Sequence, residues 1–390
     1  MRWKRSISVL ASTGLLAVGL AVPAHADATV TVGVGHFDPD NQDPSTGTVV
    51  EYTDFFGRSV RVHSGDTVNF QTQKNEFHSI ALAPAVIPLP VFVADTDDAP
   101  AKGTGLPKVA GGPGLFKAFE PPPPCGAQGT PCEFDGSSPV DAGAIAGFDP
   151  ATGQPANVDW NVKITAPTGD YAYFCYIHPG MQGVLHVVPS GAESDSGNQI
   201  TATQAQFLQD QSEATSLIAN DNNAAPSGAP GSRTWSVHVG DTTSTLHAAI
   251  LGMMPRSLPN VVSGDSVKFL WGAFEPHTVG FGPDANLPGP FGWDCGKAYV
   301  AFGPSGPGAP PPCTEFENGN PEIIGDPGTR GPGQGLNRNG VTDSGILVGS
   351  AYGVNPGTER WSVAAAQPGS YEYHCTVHDF MIGTISVTGT

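Results

Sequence analysis

Hydrophobic and polar positions alternate over short segments that are bounded by glycine, proline and aspartate. Residues 171–175 are one such segment, and its composition is typical of a β-strand. A period of two places Tyr171, Tyr173 and Cys175 on an inward face and Phe174 on the other face. Because many such segments follow one another with turn residues between them, the pattern predicts an all-β sandwich or barrel.

One stretch has a helical period instead. Residues 201–218 begin with a capping-box pattern and carry a modest apolar stripe. Segments rich in serine, asparagine, glycine and proline flank it at residues 190–199 and 220–232. The pattern therefore predicts a short helix within a linker at residues 191–233, packed on one of the domains that it joins.

The chain also contains an internal duplication. Residues 64–70 recur as residues 263–269, 199 positions later, and residues 175–181 recur as 375–381, 200 positions later. An internal repeat of this length predicts two copies of one domain. The predicted domains are residues 27–190 and 234–390.

The first 26 residues have a different character. Three basic residues precede an apolar run at residues 7–22, and small residues follow up to Ala26. This order predicts a secretory signal peptide at residues 1–26, and hence export to a periplasm or the cell exterior. A retained signal anchor is the alternative, but the run is shorter than the roughly 20 residues that span a bilayer.

Composition and charge narrow the choice of function. The 51 glycines and 38 prolines among 390 residues argue against a helical bundle or coiled coil. A net charge of -19 argues against binding to nucleic acid or to an anionic membrane surface, and favours a partner with a basic docking patch.

The candidate chemistry lies in residues that both repeats share. Each repeat has one histidine after a strand and, much later, a cysteine, a histidine and a methionine at intervals of three. A thiolate, two imidazoles and a thioether are the ligands of a blue-copper site. The sequence thus predicts two type 1 copper ions, one per domain. The candidate ligands are His78, Cys175, His178 and Met181 in the first repeat and His277, Cys375, His378 and Met381 in the second.

The six cysteines fit this assignment. An exported chain normally pairs its cysteines, and each repeat has two of them in a loop rich in proline and glycine. One cysteine per repeat is then left beside the histidine and methionine. A cross-link between Cys175 and Cys375 is the alternative, and it would tie two equivalent loops together. The predicted disulfides are Cys125–Cys132 and Cys295–Cys313.

The two loops resemble those of a known family. Residues 173–181 read Tyr-Phe-Cys-Tyr-Ile-His-Pro-Gly-Met and residues 373–381 read Tyr-His-Cys-Thr-Val-His-Asp-Phe-Met. Both resemble the ligand loops of cupredoxins, with amicyanin-like spacing within the plastocyanin/azurin group. The resemblance implies Greek-key β-sandwich domains, one-electron transfer and the eight ligands given above. It also implies that His178 and His378 are exposed edges through which electrons pass.

The chain departs from this family in two respects. The asparagine that often follows the first ligand histidine is replaced by Ser79 and Thr278, although backbone donation to the cysteine sulfur would survive the change. In addition, 96 residues separate His78 from Cys175, and these include a proline-rich loop with a predicted disulfide. Long loop insertions are therefore expected in both domains.

The sequence favours an exported single-electron carrier over two alternatives. Copper sequestration or delivery would use the same ligands. A two-domain copper oxidase is disfavoured, because the mature chain has no His-x-His pair. A nitrite reductase is disfavoured, because no second histidine stands five residues after His78 or His277. His374, beside Cys375, resembles the pair that couples two coppers in nitrite reductases, but an outward-facing strand residue is the preferred interpretation. The expected partner is a redox protein, and no enzymatic activity is expected.

Overall fold

The computed structural model describes the greater part of both repeats. The predicted signal peptide and the predicted disulfide Cys295–Cys313 lie outside the described residues. The described residues are 27–37, 42–72, 77–84, 125, 131–146, 159–175, 178, 180–195, 199–223, 225–273, 275, 277–281, 334–335, 342–344, 360–375, 378 and 380–389.

Strands account for nearly all the regular structure, with one helix between two sets of ten strands among the described residues. Before the helix come β1 (Thr29–Phe37), β2 (Val49–Phe56), β3 (Ser59–His63), β4 (Thr67–Thr72), β5 (Phe77–Ala83), β6 (Cys132–Phe134), β7 (Val140–Ala146), β8 (Asp159–Ile164), β9 (Gly169–Phe174) and β10 (Gln182–Val188). The helix is α1 (Gln199–Asn222). After it come β11 (Thr234–Thr242), β12 (Ala249–Met254), β13 (Ser257–Val262), β14 (Ser266–Leu270), β15 (Gly280–Phe281), β16 (Gln334–Gly335), β17 (Thr342–Asp343), β18 (Arg360–Ala364), β19 (Gly369–His374) and β20 (Ile382–Thr388).

The strands form three sheets in which the same order occurs twice. One ten-stranded sheet runs β16-β18-β14-β11-β12-β2-β1-β4-β8-β6. The first half of the chain adds a five-stranded sheet, β3-β10-β9-β5-β7, and the second half adds its counterpart, β13-β20-β19-β15-β17. In each half the chain crosses repeatedly between its two sheets, as in a Greek-key sandwich. The predicted all-β fold class is confirmed. No helix among the described residues is both long and apolar enough to cross a bilayer.

A hydrophobic core fills the space between the two sheets of each half. In the first half the fully buried Tyr173 ring lies 5.0 Å from Phe55 and 5.4 Å from Phe70, measured between ring centroids. Tyr171, Tyr173 and Cys175 belong to this core, whereas Phe174 packs with three alanines elsewhere. The two faces predicted for residues 171–175 are therefore confirmed.

The two halves meet where β2 pairs antiparallel with β12. Counterparts in β2 and β12 are 198 residues apart, as Arg58 and Arg256 are just beyond these strands, and the counterparts Glu51 and Ala249 face each other. This is the relation that a two-fold axis through that pair would produce. The halves thus share one continuous sheet, and the predicted domain boundaries remain a prediction. The three facing pairs are Val49–Leu251, Val50–Ile250 and Glu51–Ala249.

The helix α1 covers this seam. It is longer than predicted, and its Phe207 ring lies 4.8 Å from Tyr52 of β2 between centroids. The same apolar cluster includes Ile250 and Met254 of β12. The expectation that the helix packs on one domain was wrong. The reason is that β2 and β12 together present one apolar face, and a single helix buries it.

A buried ion cluster also holds the helix in place. The Arg58 guanidinium donates to Asp54, with Nε 2.7 Å from Oδ2, and to Asp210 of α1, with Nη2 2.6 Å from Oδ1. Both carboxylates have no solvent-exposed side-chain surface. Burial raises the pKa of Asp54 to about 6, although the hydrogen bond and charge of Arg58 act in the opposite direction. Arg58 is thus the counterion that allows two acids to lie together beneath the helix.

The repeated Gly-Asp motif is a buried turn in both halves. Asp265 Oδ1 accepts hydrogen bonds from the backbone N–H groups of Gly231 and Arg233, and Oδ2 accepts one from Val262. Asp66, its counterpart, accepts from the backbone N–H groups of Ala28 and His63. Burial acts to raise the pKa of Asp265, but the hydrogen bonds outweigh it and lower the pKa to about 2.

We expect Arg58→Ala to lower the free energy of unfolding at pH 7 by about 3 kcal/mol or more, because it leaves two buried carboxylates without their counterion. Denaturant unfolding monitored by tryptophan fluorescence measures this loss. Arg61→Ala is the matched control, since that side chain is exposed. Equal losses in the two variants would contradict the assigned role of Arg58.

We expect Asp265→Asn to cost about 2 kcal/mol at pH 7, because an amide cannot accept all the hydrogen bonds that the carboxylate accepts. The folded-state pKa lies below the ordinary value of 3.8, so the stability from Asp265 is complete above that value and is lost as pH falls toward 2. The variant should therefore lose less stability than the parent on acidification. Glu133→Gln is the control, because its carboxylate is exposed. A variant as sensitive to acid as the parent would contradict the assignment.

Candidate metal centres

The predicted ligand loops have the same closed form in both halves. Cys175 directly follows β9, and Met181 directly precedes β10. The Cys175 N–H donates to the Met181 carbonyl at 3.0 Å, and the Met181 N–H donates to the His178 carbonyl at 3.2 Å. The loop from Cys375 to Met381 repeats these bonds at 3.0 and 2.9 Å. One tight turn thus presents a cysteine, a histidine and a methionine from the end of a hairpin.

The remaining histidine comes from the neighbouring strand. His78 is the second residue of β5, so it opens a strand rather than following one, and β5 pairs with β9. His277 lies three residues before β15, which pairs with β19. Because the neighbouring strand brings this histidine to the end of the hairpin, each His lies beside the Cys of its own half.

The donor atoms converge in both sets. In the first, Cys175 Sγ lies 3.8 Å from His78 Nδ1 and 3.6 Å from His178 Nδ1, and the two Nδ1 atoms are 2.9 Å apart. In the second, the corresponding distances are 3.9, 3.9 and 3.1 Å. Metal bonds of roughly 2.0 to 2.3 Å to nitrogen and sulfur bring donors this close together. Both sets could therefore hold a metal ion, and the residues present fit copper.

The two methionines are buried at the ends of the ligand loops. Met181 is 1% exposed and Met381 has no exposed surface, and each belongs to the same core as the cysteine of its half. The structure therefore brings together three of the four predicted ligands in each half and buries the fourth at the end of the same loop.

The cysteine environments favour thiolates. Burial would raise the pKa of Cys175, but the charge of His178 and hydrogen bonds from His178 and His78 lower it well below its usual range. In the second half the backbone N–H of Thr278 donates to Cys375 Sγ at 3.3 Å. The predicted backbone donation to sulfur is thus confirmed at Thr278.

The histidine nitrogens that face away from the cysteines have different surroundings at His178 and His277. His178 Nε2 lies 3.6 Å from Glu275 Oε1 and 3.9 Å from Glu51 Oε1. Burial acts to lower the pKa of His178, but the charge of Cys175, hydrogen bonding to Cys175 and Glu275, and the charge of Glu51 raise it well above its usual value. His277 Nε2 is buried with no hydrogen-bond partner among the described residues. Burial and the charge of His378 lower the pKa of His277.

The expectation that His178 forms an exposed edge was wrong. Its side chain is 4% exposed, because Glu275 of the second half and Glu51 at the seam lie over it. His378 is partly exposed, as expected.

The sequence analysis missed both glutamates, Glu51 and Glu275. One signal was present, since Glu76 and Glu275 each stand two residues before the first ligand histidine of their repeat. This repeated glutamate does not, however, indicate that the two halves lie close together.

The cysteine assignment is confirmed where it is described. Cys125 and Cys132 form a disulfide, and Trp160 Nε1 of β8 donates to the Cys125 carbonyl at 2.8 Å. Cys175 and Cys375 are buried thiols, so they are not cross-linked to each other. Each therefore remains available as a ligand. His374 is half-buried and belongs to neither His/Cys/His set.

A Ser/His/Asp trio also lies on the surface of the first half. His186 Nδ1 is 2.6 Å from Asp170 Oδ1, and His186 Nε2 is 3.1 Å from Ser59 Oγ. The three residues lie on adjacent strands, and Asp170 is 74% exposed. A catalytic triad keeps its carboxylate buried against the imidazole, whereas water screens this one. The trio is a polar cross-strand chain.

Comparison with known proteins gives matches among solved structures only, since no protein-family model and no curated protein sequence matches the chain. An amicyanin mutant in its Cu(I) form is 15% identical, with 42% of this chain and 92% of that chain covered and a TM-score of 0.19. The oxidised plastocyanin of Dryopteris crassirhizoma is 18% identical, with 39% and 99% covered and a TM-score of 0.20. The fold assignment therefore rests on the strand order of this chain.

We expect Gly240→Ala to disturb the second set alone. Gly240 has a φ of +66°, and a Cβ there would stand 2.5 Å from His277 Nε2. The free energy of unfolding should fall by about 3 kcal/mol, from backbone strain and displacement of the imidazole together. Gly191→Ala separates these effects, because Gly191 has a φ of +97° and open space around it. Its loss should be about 1 kcal/mol. Equal losses would show that His277 is not displaced.

Proposed function

We propose that this chain is an exported blue-copper protein that binds one type 1 copper in each half and transfers single electrons. The observation that carries the proposal is the convergence of a buried thiol and two imidazoles, twice, at the end of a hairpin in a β-sandwich. The proposed domains are residues 27–190 and 234–390. The proposed ligands are His78, Cys175, His178 and Met181, and His277, Cys375, His378 and Met381.

The chemistry of the donors supports copper over harder metals. Thiolate and thioether sulfur are soft donors that suit Cu(I), and imidazole suits both oxidation states of copper. Copper bound there would accept and release one electron. The chain supplies a rigid frame for the donors. In each half, neighbouring strands position the first histidine and the cysteine, and the closed loop positions the second histidine and the methionine. Little needs to move when the charge changes, which favours fast electron transfer.

The burial of the donors and the surface charge bear on the partner. Both His/Cys/His sets lie within the sandwiches, so a partner would exchange electrons through side chains rather than touch the metal. The net charge of -19 supports a partner with a basic docking patch. Export after cleavage near Ala26 is part of the proposal, and it would place the carrier in a periplasm or outside the cell.

Loading of the mature chain with Cu(II) tests the proposal. We expect two coppers per chain, intense blue absorption and only type 1 signals in electron paramagnetic resonance. Cys175→Ser and Cys375→Ser should each remove about half of the blue absorption, because each removes one thiolate. His186→Ala should remove none, since that imidazole lies outside both sets. A colourless protein that holds Cu(I) against air would favour sequestration or delivery, and a type 2 signal would favour an enzyme.

A further inference from the structure

The first His/Cys/His set has its edge against the second half of the chain. His178 Nε2 points at Glu275, and the His178 side chain is 4% exposed. Two residues further on, Gly180 lies so close to Leu246 that a Cβ on it would stand 2.7 Å from the Leu246 Cβ. The second half therefore covers the surface through which a docked partner would otherwise reach His178.

Glu275 connects this edge to the second set. It stands two residues before His277, a separation of at most about 7 Å along the chain. Burial acts to raise the pKa of Glu275, but the charges of His178, His378 and His78 lower it. Glu275 thus joins the two sets, because its carboxylate contacts His178 and its backbone lies two residues from His277.

The second loop also lies on the opposite half, but it leaves its histidine accessible. Gln42 Nε2 donates to the Phe380 carbonyl at 3.0 Å, and the Phe37 and Phe380 ring centroids are 6.4 Å apart. These contacts hold the far end of the loop, whereas His378 stays partly exposed. The second set thus keeps a route to the surface that the first set lacks at His178.

We propose that the first set exchanges electrons with the redox partner by way of the second set, along His178, Glu275 and His277. The inference rests on the proposed function. In each exchange one set loses one electron and the other gains it, while no bond is made or broken and no proton moves. Electron transfer slows steeply with distance. A partner docked at His378 therefore exchanges electrons directly with the second set, and the first set exchanges electrons with the second through Glu275. The chain then holds up to two electrons and exchanges them with its partner at one site, His378.

The inference that the second half covers His178 can be tested on the metal-free protein. Diethyl pyrocarbonate modifies accessible imidazoles, and mass spectrometry of the full mature chain locates the products. We expect His378 to be modified severalfold faster than His178, with His186, which is 31% exposed, as the reactive control. Equal modification of His178 and His378 would overturn the inference.

The relay itself can be tested with single-site variants. Cys375→Ser leaves the first set as the only blue site, and Cys175→Ser leaves the second. The reduced proteins are mixed with an oxidised, basic cytochrome c, and the return of blue absorption is followed by stopped flow. We expect the first set in Cys375→Ser to react about tenfold or more slowly than the second set in Cys175→Ser. Equal rates would overturn the relay alone, whereas colourless variants would overturn the proposed function as well.

The role of Glu275 needs a separate variant. Glu275→Gln removes a negative charge beside His178, so we expect the reduction potential of the first set to rise and its oxidation in the full chain to slow severalfold. Glu372→Gln is the matched control, because Glu372 is an exposed residue of β19 in the same half. A Glu275→Gln protein with an unchanged potential and rate would overturn this route.

Discussion

The antiparallel pairing of β2 with β12 is the contact on which the rest of the structure depends. In an isolated half, β2 would be an edge strand with unpaired backbone groups and an apolar outer face. Pairing with its counterpart satisfies the backbone, and α1 then covers the apolar face that the two strands make together. Edge protection, helix docking and the meeting of the halves are therefore consequences of one strand pair.

The same pairing determines the surroundings of the first His/Cys/His set. Glu51 lies opposite Ala249 in the seam, and its carboxylate faces His178. Glu275 reaches the same imidazole from the second half. Two acids in a poorly hydrated interface interact with the imidazole more strongly than they would in water. The geometry of the seam and the electrostatics of the site are thus joined through one residue of β2.

Local sequence patterns predicted what depends on local structure. The alternation at residues 171–175 predicted which side chains face the core, and the structure confirms it. The spacing of Cys175, His178 and Met181 predicted a tight loop between two strands, and the loop closes as a tight turn. The seam could not be predicted in this way, because it joins residues about 200 positions apart and has no periodic signal of its own. The exposure of His178 was misjudged for the same reason, since it depends on Glu275 from the other half. The length of α1 was underestimated because tertiary packing extends a helix beyond its apolar stripe.

The covalent link through α1 has a consequence for how the interface behaves in solution. Two separate copies of such a half would meet at a rate that depends on their concentration, and they would part on dilution. Here the helix is continuous with both halves and packs on both, so each half meets the other at the effective concentration that the tether sets. A tethered pair is also free to become unlike, as Glu51 opposite Ala249 shows, whereas identical subunits must place the same residue at both positions. The duplication thus allows an asymmetric interface that does not weaken on dilution.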